Sequence, residues 1–494
     1  MVKQNHLSFL VLLLLLLVAL IALLGRPAVA ADPLPENALP EELAQEDLLC
    51  RFGVNYASSL PGDDPAGYDL TQIRAGWYID YGASMDPWGP ASATYGRVIR
   101  ISDDRATNTY SYSPGAATIQ AVAQANPGGL WFIGNEPDRI TYQDDARPFM
   151  YARAYHELYY LLKDADPTAR IYAGAIVQAT SIRLMYLDLV LDSYRRQFGE
   201  PLPLDGWSIH GFILNEVDCD WDDTRCWGAD VPPGVNVNHG EIIDIQETAD
   251  IDLYVERIER FRQWMHDRGY RDKPLSMSEY GVLMPQDFGF DSDRVNAYMN
   301  ATFEYMRTRT DPDLGYPRDG NRLVQNWSWY SVADLAAFNG WLYDPDTKDL
   351  SAMGENYAAY TAAIDDTVDL YPVQIRSVPG TPYSPSEPVT MTVQALIANS
   401  GNLVAETGPV AVRFYDGDPQ QGATQIGATQ TVSLAGCGDY AAATVTWPNV
   451  PPGDHLVYVV VDPAPGEDIT DNNVASRMLM VATERALLPA ISRH

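Results

Sequence analysis

The chain has 494 residues, of which 46% are hydrophobic and 11% aromatic. That composition excludes a disordered protein, and the length allows about three domains of ordinary size. Asp and Glu number 66 against 33 Lys and Arg, a net charge of −33, so nucleic acid and anionic membrane surfaces are repelled and neutral or cationic partners are favoured.

Lys3 precedes an apolar run over 9–24, followed by Gly25, Arg26, Pro27 and the small-residue triplet Ala28-Val29-Ala30. This is the pattern of a secretory signal peptide over 1–30 with an A-x-A cleavage site, the alternative being an uncleaved anchor. Either way the body of the protein is expected to be secreted or held at the cell surface. Residues 31–48 are rich in Pro, Glu and Ala and read as a flexible leader.

Over 49–363, short apolar runs alternate with longer amphipathic ones. Strand-like runs fall at 51–56, 75–81, 97–102, 130–135, 171–177, 207–212, 275–280 and 323–329. Helical periodicity falls at 148–163, 183–198, 252–269 and from 292 onward; in the third of these Tyr254, Ile258, Phe261 and Trp264 recur at helical spacing. Eight strands alternating with helices predict an α/β fold, a (β/α)8 TIM barrel. A doubly wound sheet is the other arrangement of such a pattern, but no Gly-rich phosphate fingerprint follows any early strand.

From about Val368 helical periodicity stops. Alternating runs at 389–397, 410–414, 441–447 and 455–461 are punctuated by Asn399-Ser400-Gly401-Asn402, Asp416-Gly417 and Pro451-Pro452-Gly453-Asp454. This predicts an all-β sandwich over 368–482, with a short tail at 483–494. The acidic stretch 467–471 reads as a solvated turn in preference to a Ca²⁺ site.

Four cysteines suit an oxidising compartment. Cys219 and Cys226 enclose a six-residue loop and form a plausible disulfide; a metal site there is disfavoured because no His lies close by. Cys50 and Cys437 are either free or clip the two ends of the chain together.

In a barrel of this kind chemistry sits at the C-terminal ends of the strands. The fourth run ends Gly134-Asn135-Glu136-Pro137-Asp138 and the seventh ends Ser278-Glu279-Tyr280-Gly281. Two glutamates, each where an apolar strand stops, stand between low dielectric and a cleft, the equipment for glycoside hydrolysis. Trp327 and Trp329 end the eighth run, Tyr330 follows, and Trp77 lies on the second; aromatic rings suit the flat C–H faces of sugars. His210 ends the sixth run, where it could bond a sugar hydroxyl or a catalytic carboxylate.

On these residues, 49–363 resembles the retaining (β/α)8 glycoside hydrolases of clan A. Asn135-Glu136-Pro137 is similar to the fourth-strand acid/base motif and Ser278-Glu279-Tyr280-Gly281 to the seventh-strand nucleophile motif. The resemblance implies Glu136 as general acid/base, Glu279 as nucleophile, Asn135 on the substrate 2-hydroxyl and Trp327 or Trp329 under the sugar. The Gly-Asn-Glu-Pro-Asp form is also similar to some β-1,3-glucanase catalytic domains. Two departures stand out. Phe212 lies where many members carry a tyrosine that holds the nucleophile, and the candidate for the arginine that pairs with it, Arg100, is on the third run. The C-terminal module resembles CARDB-like and other immunoglobulin-like sandwiches through Ile397-Ala398-Asn399-Ser400-Gly401-Asn402, Val412-Arg413-Phe414-Tyr415-Asp416 and Val461-Asp462-Pro463 leading to Asp471-Asn472-Asn473; such modules act in spacing or adhesion, and this one could contact a cell surface or another protein.

The reading is therefore an exported two-glutamate retaining glycosidase expected to act on a β-linked glycan, with no metal or organic cofactor. The alternative is a barrel that binds glycan at the cell surface without turnover. A Ser-His-Asp esterase is disfavoured by the absence of any Gly-x-Ser-x-Gly elbow.

Overall fold

The computed structural model describes residues 48–57, 61–140, 143–218, 227–334, 338–381 and 388–481. The expected signal peptide, the leader up to residue 47, the tail and the Cys219/Cys226 pair lie outside the described residues. Among the described residues no helix is long and apolar enough to cross a membrane.

Eight parallel strands close into a barrel. They are β1 (Leu49–Asn55), β2 (Ala75–Ile79), β3 (Thr94–Asp104), β5 (Leu130–Ile133), β6 (Arg170–Ile176), β7 (Gly206–His210), β8 (Leu275–Tyr280) and β9 (Asn326–Tyr330); β4 (Thr109–Ser113) pairs antiparallel with β3 outside the ring. The hydrogen-bonded order runs β2-β1-β9-β8-β7-β6-β5-β3, and a β2–β3 pairing closes the circle. Each of the eight expected runs falls on one barrel strand.

The surrounding helices are α1 (Ala116–Ala125), α2 (Pro148–Ala165), α3 (Ser181–Phe198), α4 (Ile251–Asp267), α5 (Ser292–Thr308) and α6 (Ala352–Ala362). The helix α4 shows why these segments fold as they do. Asp250 caps it by accepting from the amides of Asp252 and Leu253, and Tyr254, Ile258, Phe261 and Trp264 bury one face. Helical periodicity in the sequence does not mark α1 or α6. Both are rich in alanine, with few large apolar side chains to mark a period.

The barrel alternates inside and out. Trp77, Ile79, Val98, Leu130, Phe132 and Tyr172 form one cluster that fills the interior. The outward residues, including Phe52, Trp131, Trp207, Trp327 and Trp329, join the larger barrel–helix core.

The C-terminal domain is a sandwich of two antiparallel sheets. One is ordered β10 (Leu370–Val378), β11 (Val389–Asn399), β14 (Asp439–Val450); the other is β13 (Thr424–Val432), β12 (Val410–Asp416), β15 (Gly453–Val461), β16 (Val474–Val481). Val393, Val412, Phe414, Val445, Val457 and Leu479 meet between them. The strands β10, β13 and β16 escaped the sequence reading: β10 contains Pro372, and β13 is largely polar with a glycine at 427.

The sandwich is fastened to the N-terminal face of the barrel. Cys50 on β1 is disulfide-bonded to Cys437 across 387 residues, so the two cysteines are paired. Beside it the buried Arg51 guanidinium donates to both carboxylate oxygens of Asp319 at 2.7 Å and to the Ser400 carbonyl at 2.9 Å.

Candidate active site

At the opposite, C-terminal mouth of the barrel, β5 stops at Ile133 and the backbone turns sharply. Gly134 adopts φ +91°, and a Cβ there would meet the Tyr151 ring at 2.9 Å, so only glycine fits. Glu136 follows with φ +46° and a backbone amide bonded to the Ala175 carbonyl on β6 at 2.9 Å. The turn brings its carboxylate to His210 and Arg139. Across the mouth, the β7–β8 register slips between Ile209 and His210, which sets His210 directly opposite Glu279. The slip breaks the alternation of β8, so that Ser278 and Glu279 both find polar partners: Ser278 Oγ accepts from Ser208 Oγ at 2.6 Å, and Glu279 reaches the site.

Glu136, His210 and Glu279 form one buried cluster. His210 Nδ1 lies 3.1 Å from Glu136 Oε1 and 3.7 Å from Glu279 Oε2. One ligand atom from each of the three residues lies within 4.8 Å of the others. A divalent cation could be bridged at such a spacing, but Arg139 puts its own positive charge 3.1 Å from Glu136 Oε2, which suits a hydrogen-bonded acid–base cluster better.

The charges in this cluster set one another. Burial works to raise the Glu136 pKa, but Arg139 and then His210 more than reverse it and hold the carboxyl below the usual range. Burial raises Glu279, and the nearby Glu136 charge adds to the rise against the opposing His210. For His210, burial disfavours the imidazolium, yet the facing carboxylates of Glu279 and Glu136 prevail and lift its pKa. The three groups titrate together.

The residue that holds Glu279 is Tyr81, just beyond β2. Its hydroxyl donates to Glu279 Oε2 at 2.6 Å. This tyrosine is the last residue of the second strand-like run, 75–81, where the sequence pattern alone gives it no role. The available signal was phase: Trp77, Ile79 and Tyr81 alternate onto the inward face, and two of them lie in the interior cluster that Tyr81 packs against.

Several expected site residues lie elsewhere. Trp327 and Trp329 are fully buried on the outer face of β9. Trp327 packs edge-on to Phe52 at 4.7 Å, and Trp329 Nε1 donates to the Gly340 carbonyl at 2.8 Å. Neither presents a face to the mouth, because the inward positions of β9 are Asn326, Ser328 and Tyr330. Trp77 is inward but lies down in the interior, stacked on Phe132. Tyr280 turns outward onto Trp329 and Tyr254. Tyr330 is an aromatic ring at the mouth, half-buried, near enough for the charges of Glu279 and Glu136 to act on its hydroxyl, and bonded to Asp334.

Arg100 does not meet Glu279. Its guanidinium pairs with the buried Asp144 and donates to Gln143 at 3.1 Å. Asp144 in turn accepts from the Asn135 amide at 2.8 Å, and Gln143 from Asn135 Nδ2 at 3.0 Å. Arg100 thus braces the loop that carries Asn135 and Glu136.

The long 213–248 loop is anchored beside Glu136. The fully buried Arg183 bonds Asp138 at 2.7 Å, Glu216 at 2.8 Å and the Asp230 carbonyl at 2.6 Å, while Arg139 donates to the Gly228 carbonyl at 3.1 Å. Both described flanks of the loop are therefore pinned to the segment after β5.

No protein-family model matches the chain, and no curated protein matches it. Solved structures with a similar shape include a GH128 (subgroup II) endo-beta-1,3-glucanase from Sorangium cellulosum, at 15% identity over 63% of this chain and 98% of that one, with a TM-score of 0.41. A glucosidase from Croceicoccus marinus matches at 12% identity over 82% of this chain and 95% of that one, TM-score 0.41. A CARDB domain from Pyrococcus furiosus matches at 20% identity over 25% of this chain and 100% of that one, TM-score 0.20.

Proposed function

We infer that the protein is an exported glycoside hydrolase acting on a carbohydrate by double displacement. The observation that carries this reading is the meeting of Glu136 and Glu279 at the barrel mouth, with one carboxylate oxygen of each within 4.8 Å of the other and His210 Nδ1 in contact with both. Retaining glycosidases keep their carboxyl groups about 5–5.5 Å apart, whereas inverting enzymes leave about 6.5–9.5 Å for a water. The close spacing supports retention.

In the first step Glu279 attacks the anomeric carbon, its carboxylate oriented by the Tyr81 hydroxyl, and Glu136 protonates the departing oxygen. His210 Nδ1, 3.1 Å from Glu136 Oε1, holds that carboxyl in place by a hydrogen bond. In the second step Glu136 takes a proton from water, which attacks the glycosyl–Glu279 ester and frees the sugar. In this reading Asn135 meets the 2-hydroxyl and the Tyr330 ring the sugar face. The described flanks of the 213–248 loop, pinned beside the acid/base residue, border the leaving-group side in this reading.

The test is turnover of β-linked glucans, mannans, xylans, galactans and aryl glycosides, beside Glu136→Gln and Glu279→Gln. Activity lost in both variants is the expected result. One observation favours a second reading, a barrel that binds glycan without cleaving it: Arg139 and His210 hold Glu136 as the carboxylate, the wrong form for an acid. That reading predicts binding on a glycan array by a protein inert toward every substrate.

A further inference from the structure

Tyr81 reaches Glu279 only because its backbone is inverted. Its φ is +61°, in the left-handed region that bulky L-residues rarely occupy, and it lies two residues past the end of β2. Such a conformation persists where the surroundings over-determine it, and here they do so at four points. The Asp80 side chain accepts from the Gly82 amide at 3.1 Å and from the Tyr95 hydroxyl at 2.5 Å. The Tyr95 hydroxyl also accepts from the Ser84 amide at 3.2 Å. The Gly82 carbonyl accepts from the Val98 amide on β3 at 2.8 Å. Asp80 and Tyr95 thus staple residues 80–84 to the next strand, and Tyr81 is the crest of the stapled turn. Neither Asp80 nor Tyr95 hydrogen-bonds Glu136, His210 or Glu279.

We propose that Asp80 and Tyr95 are positioning residues for Glu279, acting through Tyr81: the Asp80–Tyr95 hydrogen bond locks the left-handed turn that delivers the Tyr81 hydroxyl to the carboxylate. This rests on the reading of Glu279 as the reacting carboxylate, but the geometry stands on its own. With the staple cut, Tyr81 relaxes toward an ordinary backbone conformation and its hydroxyl leaves Glu279. A carboxylate that loses a donor holds its proton more tightly.

The conservative cut is Tyr95→Phe. It removes the hydroxyl and keeps the ring that packs on Tyr78 at 5.2 Å. The measurement is the titration of Glu279 by NMR in protein carrying ¹³C-carboxyl glutamate, with the Glu279 signal identified by its loss in Glu279→Gln. Glu279 is faced by Tyr81, His210, Glu136, Arg139 and Tyr330, none of which is altered in the Tyr95 variant. Tyr95→Phe and Tyr81→Phe are each expected to raise the Glu279 pKa by about one unit. The double variant is expected to move it no further than either alone. Asp80→Ala is expected to behave as Tyr95→Phe, and Asp80→Asn, which keeps the acceptor oxygen, to stay close to wild type. A Glu279 titration unchanged in Tyr95→Phe, or shifts that add in the double variant, would overturn the proposal. Because the titration needs no turnover, failure of the hydrolase reading shows only in the glycan assays and failure of the positioning role only in the titration.

Discussion

Cys50 and Cys437 stand 387 residues apart in sequence and are joined by a disulfide that ties the first barrel strand to the turn before β14. The bond lies at the N-terminal face of the barrel, away from Glu136 and Glu279 at the C-terminal face. Replacing both cysteines by serine should therefore lower the thermal midpoint, by a loss of about 2–5 kcal/mol. Turnover or glycan binding below the new midpoint should be retained. Calorimetry beside an activity assay checks both halves, and an unchanged midpoint would show that the bridge adds nothing to the Arg51–Asp319 junction.

The two aromatic residues that end β9 should part company on mutation. Trp329 is fully buried against Tyr280 and Phe303. Trp329→Ala should cost about 3–5 kcal/mol of stability through the cavity it leaves. Tyr330→Ala, at the half-exposed mouth, should leave the midpoint much closer to wild type and weaken substrate binding. Denaturant unfolding and KM on the same pair of variants separate a packing role from a contact role.

His210 makes stability depend on pH. Its pKa in the fold is raised above the ordinary 6.5, so its stabilising contribution is complete below that value and declines as pH rises through the folded pKa. Midpoints measured from about pH 5.5 upward should fall faster in wild type than in His210→Asn. Parallel curves for the two proteins would mean that the imidazolium contributes no net stability.

Arg139 is expected to tune the proton on Glu136. Removing the guanidinium 3.1 Å away takes away a positive charge that favours the carboxylate, so Arg139→Met should raise the Glu136 pKa by about one unit or more. In a double-displacement enzyme this moves the basic limb of kcat/KM to higher pH. A pH–rate profile identical to wild type would place Arg139 outside the electrostatics of the site.

A double-cysteine change, an outward tryptophan and an inward tyrosine also mark where sequence and fold divide the information. The eight barrel strands, four of the helices and the change of architecture after about residue 368 were legible because hydrophobic period is local: it can be counted along the chain. Glu136 and Glu279 were legible for the same reason, each standing where an apolar run stops. The face on which a strand-end residue points is different. Trp329 and Tyr330 are neighbours in sequence, and only the pairing of β9 with β1 and β8 decides that one packs against helices and the other meets the cleft. The slip between β7 and β8 that sets His210 opposite Glu279, the inverted backbone at Tyr81 and the Arg100–Asp144 brace are likewise products of contacts between distant segments. So is the Cys50–Cys437 bond, which sequence left open between free thiols and a clip. The sequence by itself determined the kinds of element and the two acids; the tertiary structure alone decided their partners, because register and side-chain direction are set by neighbours that the chain brings together only on folding.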